Sequence, residues 1–176
     1  MSSLFDMKPN LSHADFDEDR ALYYMKEAYA EALIALELDE VPIGCVIVFD
    51  DRIIGRGHNL KVLKKNPLFH AEIIAINQAA EHMRDWRLEG CNLYVTVEPC
   101  SMCAGAIVQA RMSTVIYGAK SPKAGCAGSI LNILEEPRFN HIVKVVSGVY
   151  EEECAALVTA FFKTLRDGKR LEQGIS

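Results

Sequence analysis

Two short motifs contain side chains that could hold a metal ion and move protons: His70-Ala71-Glu72 and Pro99-Cys100-Ser101-Met102-Cys103. A catalytic zinc ion takes three protein ligands and leaves its fourth position for water, and His70, Cys100 and Cys103 are three suitable donors. Two thiolates one helical turn apart can point at one ion, and the positive end of a helix dipole favours thiolate over thiol. The spacing therefore predicts a catalytic Zn2+ site with one ion per subunit.

Glu72 stands two residues after His70, so it reaches the same pocket without having to bind the metal. A carboxylate in that position can take a proton from a water molecule and pass it on. This is the chemistry required to replace an aromatic amino group by oxygen, with release of ammonia. We therefore predict that Glu72 is the catalytic residue.

A closed structural zinc site and a redox-active Cys pair are the alternative interpretations. A structural site needs a fourth protein ligand, usually Cys or His, and none of the other cysteines and histidines forms a second close pair. A thioredoxin-like motif leaves His70-Ala71-Glu72 unexplained. The two half-motifs together, in this order, are the signature of zinc-dependent nucleobase deaminases.

The composition is typical of one globular domain. The chain has 176 residues, of which half are apolar and 24% are charged, and this length suffices for a proper core. No apolar run approaches the roughly 20 residues of a membrane span, and the acidic N-terminus lacks a signal pattern. Six cysteines with one close pair argue against a disulfide framework. We therefore expect a cytoplasmic protein without a membrane partner.

Hydrophobic periodicity predicts the elements that must position the two motifs. Residues 1–14 are expected to be a flexible N-terminal tail, and residues 15–176 to form the zinc-dependent deaminase domain. The predicted elements are a helix from residue 15 or 17 to before Pro42, strands at 43–49 and 53–59, a helix at 71–83, a strand at 93–97, a helix at 103–111, a strand at 114–117, a helical turn at 130–134, a strand at 142–146 and a helix at 151–166. Alternating strands and helices after the opening hairpin predict an α/β layer fold with a mixed sheet.

Three expectations concern packing. The first helix is expected to bury one apolar stripe, which consists of Leu22, Met25, Tyr29, Ala32, Leu33 and Leu36. Gly55 and Gly57 in the second strand predict a bulge or a close backbone approach. Trp86 is expected to be a packing anchor.

Beyond the two motifs, the sequence resembles the bacterial tRNA-specific adenosine deaminases over roughly residues 20–170. The segments that carry the resemblance include Glu40-Val41-Pro42-Ile43-Gly44, Gly57-His58-Asn59, Trp86-Arg87-Leu88, Val115-Ile116-Tyr117-Gly118-Ala119, Pro122-Lys123-Ala124-Gly125, Asn140-His141 and Glu153-Cys154-Ala155. The resemblance implies conversion of the wobble adenosine in a tRNA anticodon to inosine. It also implies a homodimer and a three-layer α/β/α cytidine deaminase-like fold with a five-stranded mixed sheet.

The same resemblance implies four substrate-binding residues. Asn59 would bind the purine edge through its side-chain amide, and Ala71 would contribute a backbone N–H. Ile43 would pack on the base, opposite the imidazole of His70. Phe161 would lie close to the anticodon loop.

Two departures from the family pattern concern the substrate rather than the metal. The family usually shows Asp-Pro-Thr-Ala before His-Ala-Glu, where this chain has the more apolar Asn66-Pro67-Leu68-Phe69. Many members also carry an acidic residue where this chain has Ser121. Both differences bear on nucleotide context and leave the zinc chemistry untouched.

The formal net charge of −5 argues mildly against an RNA partner, so the distribution of charge matters. Three lysines, Lys61, Lys64 and Lys65, lie in one connection beside the predicted pocket, and Lys163, Arg166 and Arg170 could share one face of the last helix. Such cations could contact the phosphates of an anticodon stem-loop. The alternative is that the basic side chains on the last helix only complement its dipole.

Two other functions stay open at this point. A deaminase of free nucleobases or nucleosides would share the zinc site, and an acidic surface suits a small substrate. A non-catalytic, zinc-stabilised RNA-binding module would leave Glu72 without a role. Trp86-Arg87-Leu88 and Pro122-Lys123-Ala124-Gly125 favour the tRNA-specific enzyme.

Overall fold

Four helices and five strands form the described part of the chain, which is residues 17–172 of a computed structural model, with side chains described for residues 17–168. In chain order they are α1 (Glu18–Glu37), β1 (Gly44–Phe49), β2 (Arg52–His58), α2 (Ala71–Met83), β3 (Asn92–Val97), α3 (Ser101–Gln109), β4 (Thr114–Ala119), β5 (Lys144–Ser147) and α4 (Glu151–Glu172). Apart from residues 130–134, this succession confirms the predicted one. The predicted tail, residues 1–14, lies outside the described residues.

The five strands form one mixed sheet in the order β2-β1-β3-β4-β5. Strand β1 runs antiparallel to β2 and β3, whereas β3, β4 and β5 are parallel to one another. Helices α1 and α4 pack on one face around Val46, Tyr94 and Ile116, and α2 and α3 pack on the other around Ile47 and Leu93. Successive strand residues point to opposite faces, so the central strands are apolar on both. The three-layer α/β/α fold with a five-stranded mixed sheet is confirmed.

Helix α1 begins where expected, because the Asp17 side chain accepts a hydrogen bond from the N–H of Arg20 at 3.0 Å. The predicted apolar stripe is partly wrong, since Leu33 and Leu36 are exposed while the small residues Ala21, Ala28 and Ala35 are buried. The reason lies at Gly44, where an added Cβ would stand 2.0 Å from the Ala28 carbonyl oxygen. The helix backbone rests on β1, so its contact face must be small.

The close approach predicted for Gly55 and Gly57 is confirmed. A Cβ on Gly57 would lie 2.1 Å from the carbonyl oxygen of Ala71, and one on Gly55 would lie 2.4 Å from that of Ala75. The predicted bulge is also present, because the register between β1 and β2 shifts between Ile47 and Val48. The two glycines therefore hold the first turns of α2 directly on β2, which fixes the position of the residue before the helix.

The helical turn predicted at residues 130–134 is wrong. Backbone hydrogen bonds run across the loop instead of along it, from Gly128 N–H to the Leu131 carbonyl at 2.9 Å and from Ile133 N–H to the Cys126 carbonyl at 3.0 Å. An apolar run at helical spacing is thus overridden by pairing within the loop.

Trp86 is not the predicted packing anchor. It is 56% exposed and stacks against the guanidinium of Arg87, whereas Leu88 is the residue of this segment that is fully buried. All six cysteines are free thiols. None of the helices between residues 17 and 172 combines the length and apolarity that a membrane span requires.

Candidate active site

One edge of the sheet gathers the segments that carry the predicted site residues. Because β1 is antiparallel to β2 and β3, its start lies at the same edge as their ends, and the parallel strand β4 also ends there. Ile43 precedes β1, Asn59 follows β2, Cys100 follows β3 and Ser121 follows β4. The topology therefore brings together residues that are far apart in the sequence.

The three predicted metal ligands meet at the N-termini of two helices. His70 is the residue before α2 and Cys100 is the residue before α3, each with extended backbone dihedral angles, and Cys103 lies in the first turn of α3. The Nδ1 atom of His70 is 3.7 Å from the Cys100 Sγ and 3.6 Å from the Cys103 Sγ. All three donor atoms lie within 4.8 Å of one another.

This cluster could hold a metal ion through three protein donor atoms. Within the described residues, no further His, Cys, Asp or Glu side chain completes it to a closed four-ligand set. Structural zinc sites are closed by a fourth protein ligand, and catalytic sites keep one position open. The arrangement therefore has the character of a catalytic site.

The two thiols of the cluster have pKa values shifted in opposite directions. A hydrogen bond from the Cys103 thiol, assisted by His70, lowers the pKa of Cys100 to about 4, although burial acts in the opposite direction. The same hydrogen bond, together with burial, raises the pKa of Cys103. The hydrogen bond with Cys100 also raises the pKa of His70. Cys100 is thus favoured as the thiolate, which is the metal-binding form of cysteine, whereas Cys103 is favoured as the thiol.

Glu72 lies in the first turn of α2 and is 4% exposed. It is not one of the three clustered donors. Burial raises the pKa of its carboxyl group, and a carboxyl group whose pKa is nearer to neutrality can both accept and return a proton. Its position and protonation behaviour therefore suit proton transfer beside the metal.

A cavity of about 140 Å³ opens beside the cluster. It is lined by residues from each of the segments that meet at this edge of the sheet: Ile43, Asn59, His70, Glu72, Val97, Glu98, Cys100, Ser121 and Ala124. Pockets that enclose whole drug-sized ligands measure roughly 300–1,000 Å³. The cavity is therefore suited to a single ring system rather than to a whole nucleotide.

The four predicted substrate-binding residues differ in where they lie relative to the cavity. Ile43 and Asn59 line the cavity. Ala71 is fully buried as the first residue of α2, so its N–H has no partner inside the helix. Phe161 does not line the cavity, because it lies on α4 in a groove with Leu36 and Leu157.

The sequence analysis missed Glu98, which organises one wall of the cavity. Its buried carboxylate accepts hydrogen bonds from the N–H groups of Ser121 at 2.9 Å, Ala127 at 3.0 Å and Ser129 at 2.9 Å, and from the Ser129 hydroxyl. A Cβ on Gly125 would lie 2.2 Å from the Glu98 Oε2. An acidic residue at the end of an otherwise apolar strand, directly before Pro99, was the available signal.

The pKa of Glu98 predicts a pH-dependent contribution to stability. Burial alone would raise this pKa, but the hydrogen bonds from Ser121, Ser129 and Ala127 outweigh burial and lower it below its usual value of 4.5. A carboxylate with a lowered pKa in the folded state stabilises the protein above its unfolded-state pKa, and this stabilisation is lost as the pH falls through the folded-state pKa.

We therefore expect Glu98→Gln to lower the free energy of unfolding by about 1–3 kcal/mol at pH 7, because an amide NH2 group would face N–H donors. The difference from the wild type should shrink as the pH falls below 4.5 and through the lowered folded-state pKa of Glu98. Urea unfolding at pH 7 and at pH values below 4.5 measures this, with the exposed Glu81→Gln as the control. A difference independent of pH would contradict the proposed role of the charge.

Comparison with known proteins assigns the class. The fold is that of a deaminase, and residues 19–166 match the MafB19-like deaminase family. The chain is 52% identical over 147 residues to the tRNA-specific adenosine deaminase of Bacillus subtilis, covering 84% of this chain and 91% of that protein. It is 47% identical over 149 residues to the enzyme of the same name from Streptococcus pyogenes serotype M3, covering 85% and 87%.

A solved structure from a study of A-to-I editing by tRNA:A34 deaminases at the wobble position of transfer RNA is also similar. It superposes with a TM-score of 0.74 at 43% identity and covers 77% of this chain and 98% of that chain. The chain therefore belongs to the family of tRNA-specific adenosine deaminases. It is a hydrolytic deaminase.

Proposed function

We propose that this protein converts the wobble adenosine of a tRNA anticodon to inosine, using one zinc ion held by His70, Cys100 and Cys103. The observation that carries the proposal is the arrangement of three donor atoms within 4.8 Å of one another, beside buried Glu72, at a cavity sized for a single base. The extensive identity to relatives named for this activity supports the choice of substrate.

The donor set fits zinc. One imidazole and two thiolates are ligands that zinc commonly takes in proteins. Two donors on a tetrahedral zinc ion, with bonds of about 2.3 Å to sulfur and about 2.0 Å to nitrogen, lie roughly 3.5 Å apart. The sulfur-to-nitrogen distances of 3.6 and 3.7 Å are close to this value. When bound, zinc acts as a Lewis acid that makes water nucleophilic near neutral pH.

Glu72 moves the protons of the reaction. The oxygen of a water molecule forms a bond to C6 of adenine, while the bond between C6 and the amino nitrogen breaks. Glu72 takes one proton from the water and delivers it to N1, and it passes the second to the departing amino group, which leaves as ammonia. The carboxylate ends in its starting state, and the base has become hypoxanthine.

The walls of the cavity hold the base. Ile43 packs on one face of the ring, opposite the imidazole of His70, and Asn59 hydrogen-bonds the purine edge through its side-chain amide. The N–H of Ala71, which has no partner within α2, is available to a polar atom of the substrate. Because the cavity accepts only one ring system, the ribose and the flanking nucleotides stay outside it.

RNA outside the cavity meets the loop between β2 and α2, where Lys61, Lys64 and Lys65 are exposed. Single-stranded RNA loops are bound by splayed bases together with cations on the phosphates, and this loop connects Asn59 directly to His70. Lys163 and Arg166 on α4 are also exposed, whereas the side chain of Arg170 lies outside the described residues. Phe161 on α4 is assigned to the periphery of the anticodon loop.

We also propose a cytoplasmic homodimer. Contiguous exposed apolar surface marks protein interfaces, and Leu131 and Phe139 line one groove. Four large apolar side chains between residues 130 and 142 are each close to half exposed. They are Ile130, Leu131, Phe139 and Ile142. Solution scattering at micromolar concentration is expected to give twice the mass of the chain, and a monomeric mass would count against the dimer.

The test of the activity is an anticodon stem-loop with an adenosine at the wobble position. We expect the zinc-loaded protein to convert this adenosine to inosine, which sequencing reads as guanosine. The control is the same stem-loop with that adenosine moved into the base-paired stem, where it should stay unmodified. Absence of conversion at the wobble position with zinc bound would refute the proposal.

A further inference from the structure

We propose that Glu40 is a positioning residue that sets the orientation of the Asn59 side-chain amide in the cavity. This inference rests on the proposed function, in which Asn59 touches the base. Glu40 itself does not line the cavity or belong to the metal cluster. It acts through its neighbour.

Glu40 lies in the turn after α1 and is completely buried. Its Oε2 accepts a hydrogen bond from the Asn59 Nδ2 at 3.2 Å, and its Oε1 accepts one from the backbone N–H of Leu63 at 2.7 Å. A buried carboxylate is costly unless it is hydrogen-bonded. Both oxygens of Glu40 thus bind segments that border the cavity.

The chemistry of the pair allows one orientation of the amide. An ionised carboxylate only accepts hydrogen bonds, whereas an asparagine amide has an NH2 donor on one side and a carbonyl acceptor on the other. Rotation of the Asn59 amide by half a turn would place its carbonyl oxygen against the Glu40 carboxylate. The backbone of Asn59 is also fixed, because its N–H donates to the Ile43 carbonyl at 3.1 Å. Asn59 therefore presents one constant pattern of donors and acceptors to the base.

The second hydrogen bond of Glu40 joins this arrangement to the lysine-rich loop. Leu63 stands among Lys61, Lys64 and Lys65, and the loop is closed by a hydrogen bond from the Leu60 N–H to the Phe69 carbonyl at 3.0 Å. Glu40 thus fixes two parts of the site relative to each other. One is Asn59, which faces the base, and the other is the lysine-rich loop, which is assigned to the RNA phosphates. Pre-organisation of this kind lowers the cost of ordering the site when RNA binds.

Glu40→Gln is expected to disturb the contact with Asn59 while it keeps the contact with Leu63. The glutamine keeps a carbonyl oxygen for the Leu63 N–H but can present an NH2 group to Asn59, which removes the constraint on the amide. We expect kcat/KM for the anticodon stem-loop to fall about tenfold or more, the scale of one hydrogen bond to a charged group, while zinc content stays unchanged. Glu37→Gln, at an exposed position in the last turn of α1, should leave kcat/KM unchanged.

A double-mutant cycle distinguishes positioning from a general structural role. If Glu40 acts through Asn59, then Glu40→Gln should change kcat/KM less than about twofold in an Asn59→Ala background. Equal effects of Glu40→Gln in the two backgrounds would overturn the inference. So would unchanged kcat/KM in the single variant.

A measurement without substrate separates this inference from the proposed function. Nuclear magnetic resonance of the wild-type protein should show the side-chain NH2 protons of Asn59 protected from hydrogen exchange, because one of them is bonded to a buried carboxylate. Unprotected Asn59 protons would overturn the pairing, even if the variants fail to fold. If the Asn59 protons are protected but the protein does not convert the stem-loop, the hydrogen bond between Glu40 and Asn59 stands. Its proposed role in orienting Asn59 toward the base would then be refuted together with the proposed function.

Discussion

Replacement of Glu72 by alanine is expected to lower kcat on the anticodon stem-loop by about 10³–10⁴-fold, the upper range for loss of a general acid–base group. Zinc content should be unchanged, because Glu72 is not one of the three clustered donors. Inosine formation and metal analysis on the same preparation measure both quantities. An active Glu72→Ala protein would overturn the assignment of proton transfer to Glu72.

Two further variants test whether the loss of kcat in Glu72→Ala has a cause other than the missing proton-transfer group. Glu81→Ala removes an exposed carboxylate from the same helix and should leave kcat unchanged. Glu72→Gln keeps the volume of the side chain but cannot carry the proton. Since burial raises the pKa of Glu72, its ionised form opposes folding above the unfolded-state pKa. Glu72→Gln should therefore be inactive yet at least as stable as the wild type near neutral pH.

The second large effect is expected for Cys103→Ser. Cys103 is fully buried with its Sγ 3.6 Å from the His70 Nδ1, and a serine hydroxyl does not ionise near neutral pH to replace a thiolate. We expect the zinc content to fall from about one ion per chain to near zero, together with the activity, and the melting temperature to fall as well, since metal binding contributes to folding.

Metal analysis and thermal melting of Cys103→Ser test this expectation. The matched control is Cys91→Ser, which alters a fully buried cysteine outside the cluster and should keep its zinc. A Cys103→Ser protein that retains a full equivalent of zinc would contradict the ligand assignment.

The metal cluster could be predicted because its three donor residues lie in two short sequence motifs. His70, Cys100 and Cys103 each stand at the start of a helix. Periodicity predicted the start of α2 at residue 71, where it is, and the start of α3 at residue 103, two residues after the observed Ser101. The sheet order that brings the two starts together did not follow from periodicity. The resemblance to a family implied only a five-stranded mixed sheet, without the order of its strands.

The supporting carboxylates could not be found in the same way. Glu98 bonds Ser129, which lies 31 positions away, and Glu40 bonds Asn59 and Leu63, which lie 19 and 23 positions away. Such partners are set by the folded chain and leave no periodic pattern. Glu40 stood inside a segment that carries the family resemblance and Glu98 directly before Pro99, but the residue types alone did not indicate which groups they bind.

The incorrect predictions for α1 and for residues 130–134 both arose because tertiary contacts override hydrophobic periodicity. Periodicity ranks residues by hydrophobicity, whereas the approach distance between elements decides which of them can be buried. Where α1 rests on Gly44, only small side chains fit, so Ala28 is buried and Leu36 is exposed. In the same way, pairing across the loop, not helical spacing, determined the structure of residues 130–134.

The measurement that tests the central claim most directly is a comparison of kcat/KM, by ammonia release, for the anticodon stem-loop and for free adenosine, guanine and cytosine. If the cavity holds the base while the lysine-rich loop binds the surrounding RNA, contacts remote from the reacting atoms should favour the stem-loop by about 10³-fold or more. Equal or faster ammonia release from a free nucleoside or base would contradict the account and would identify a deaminase of small substrates.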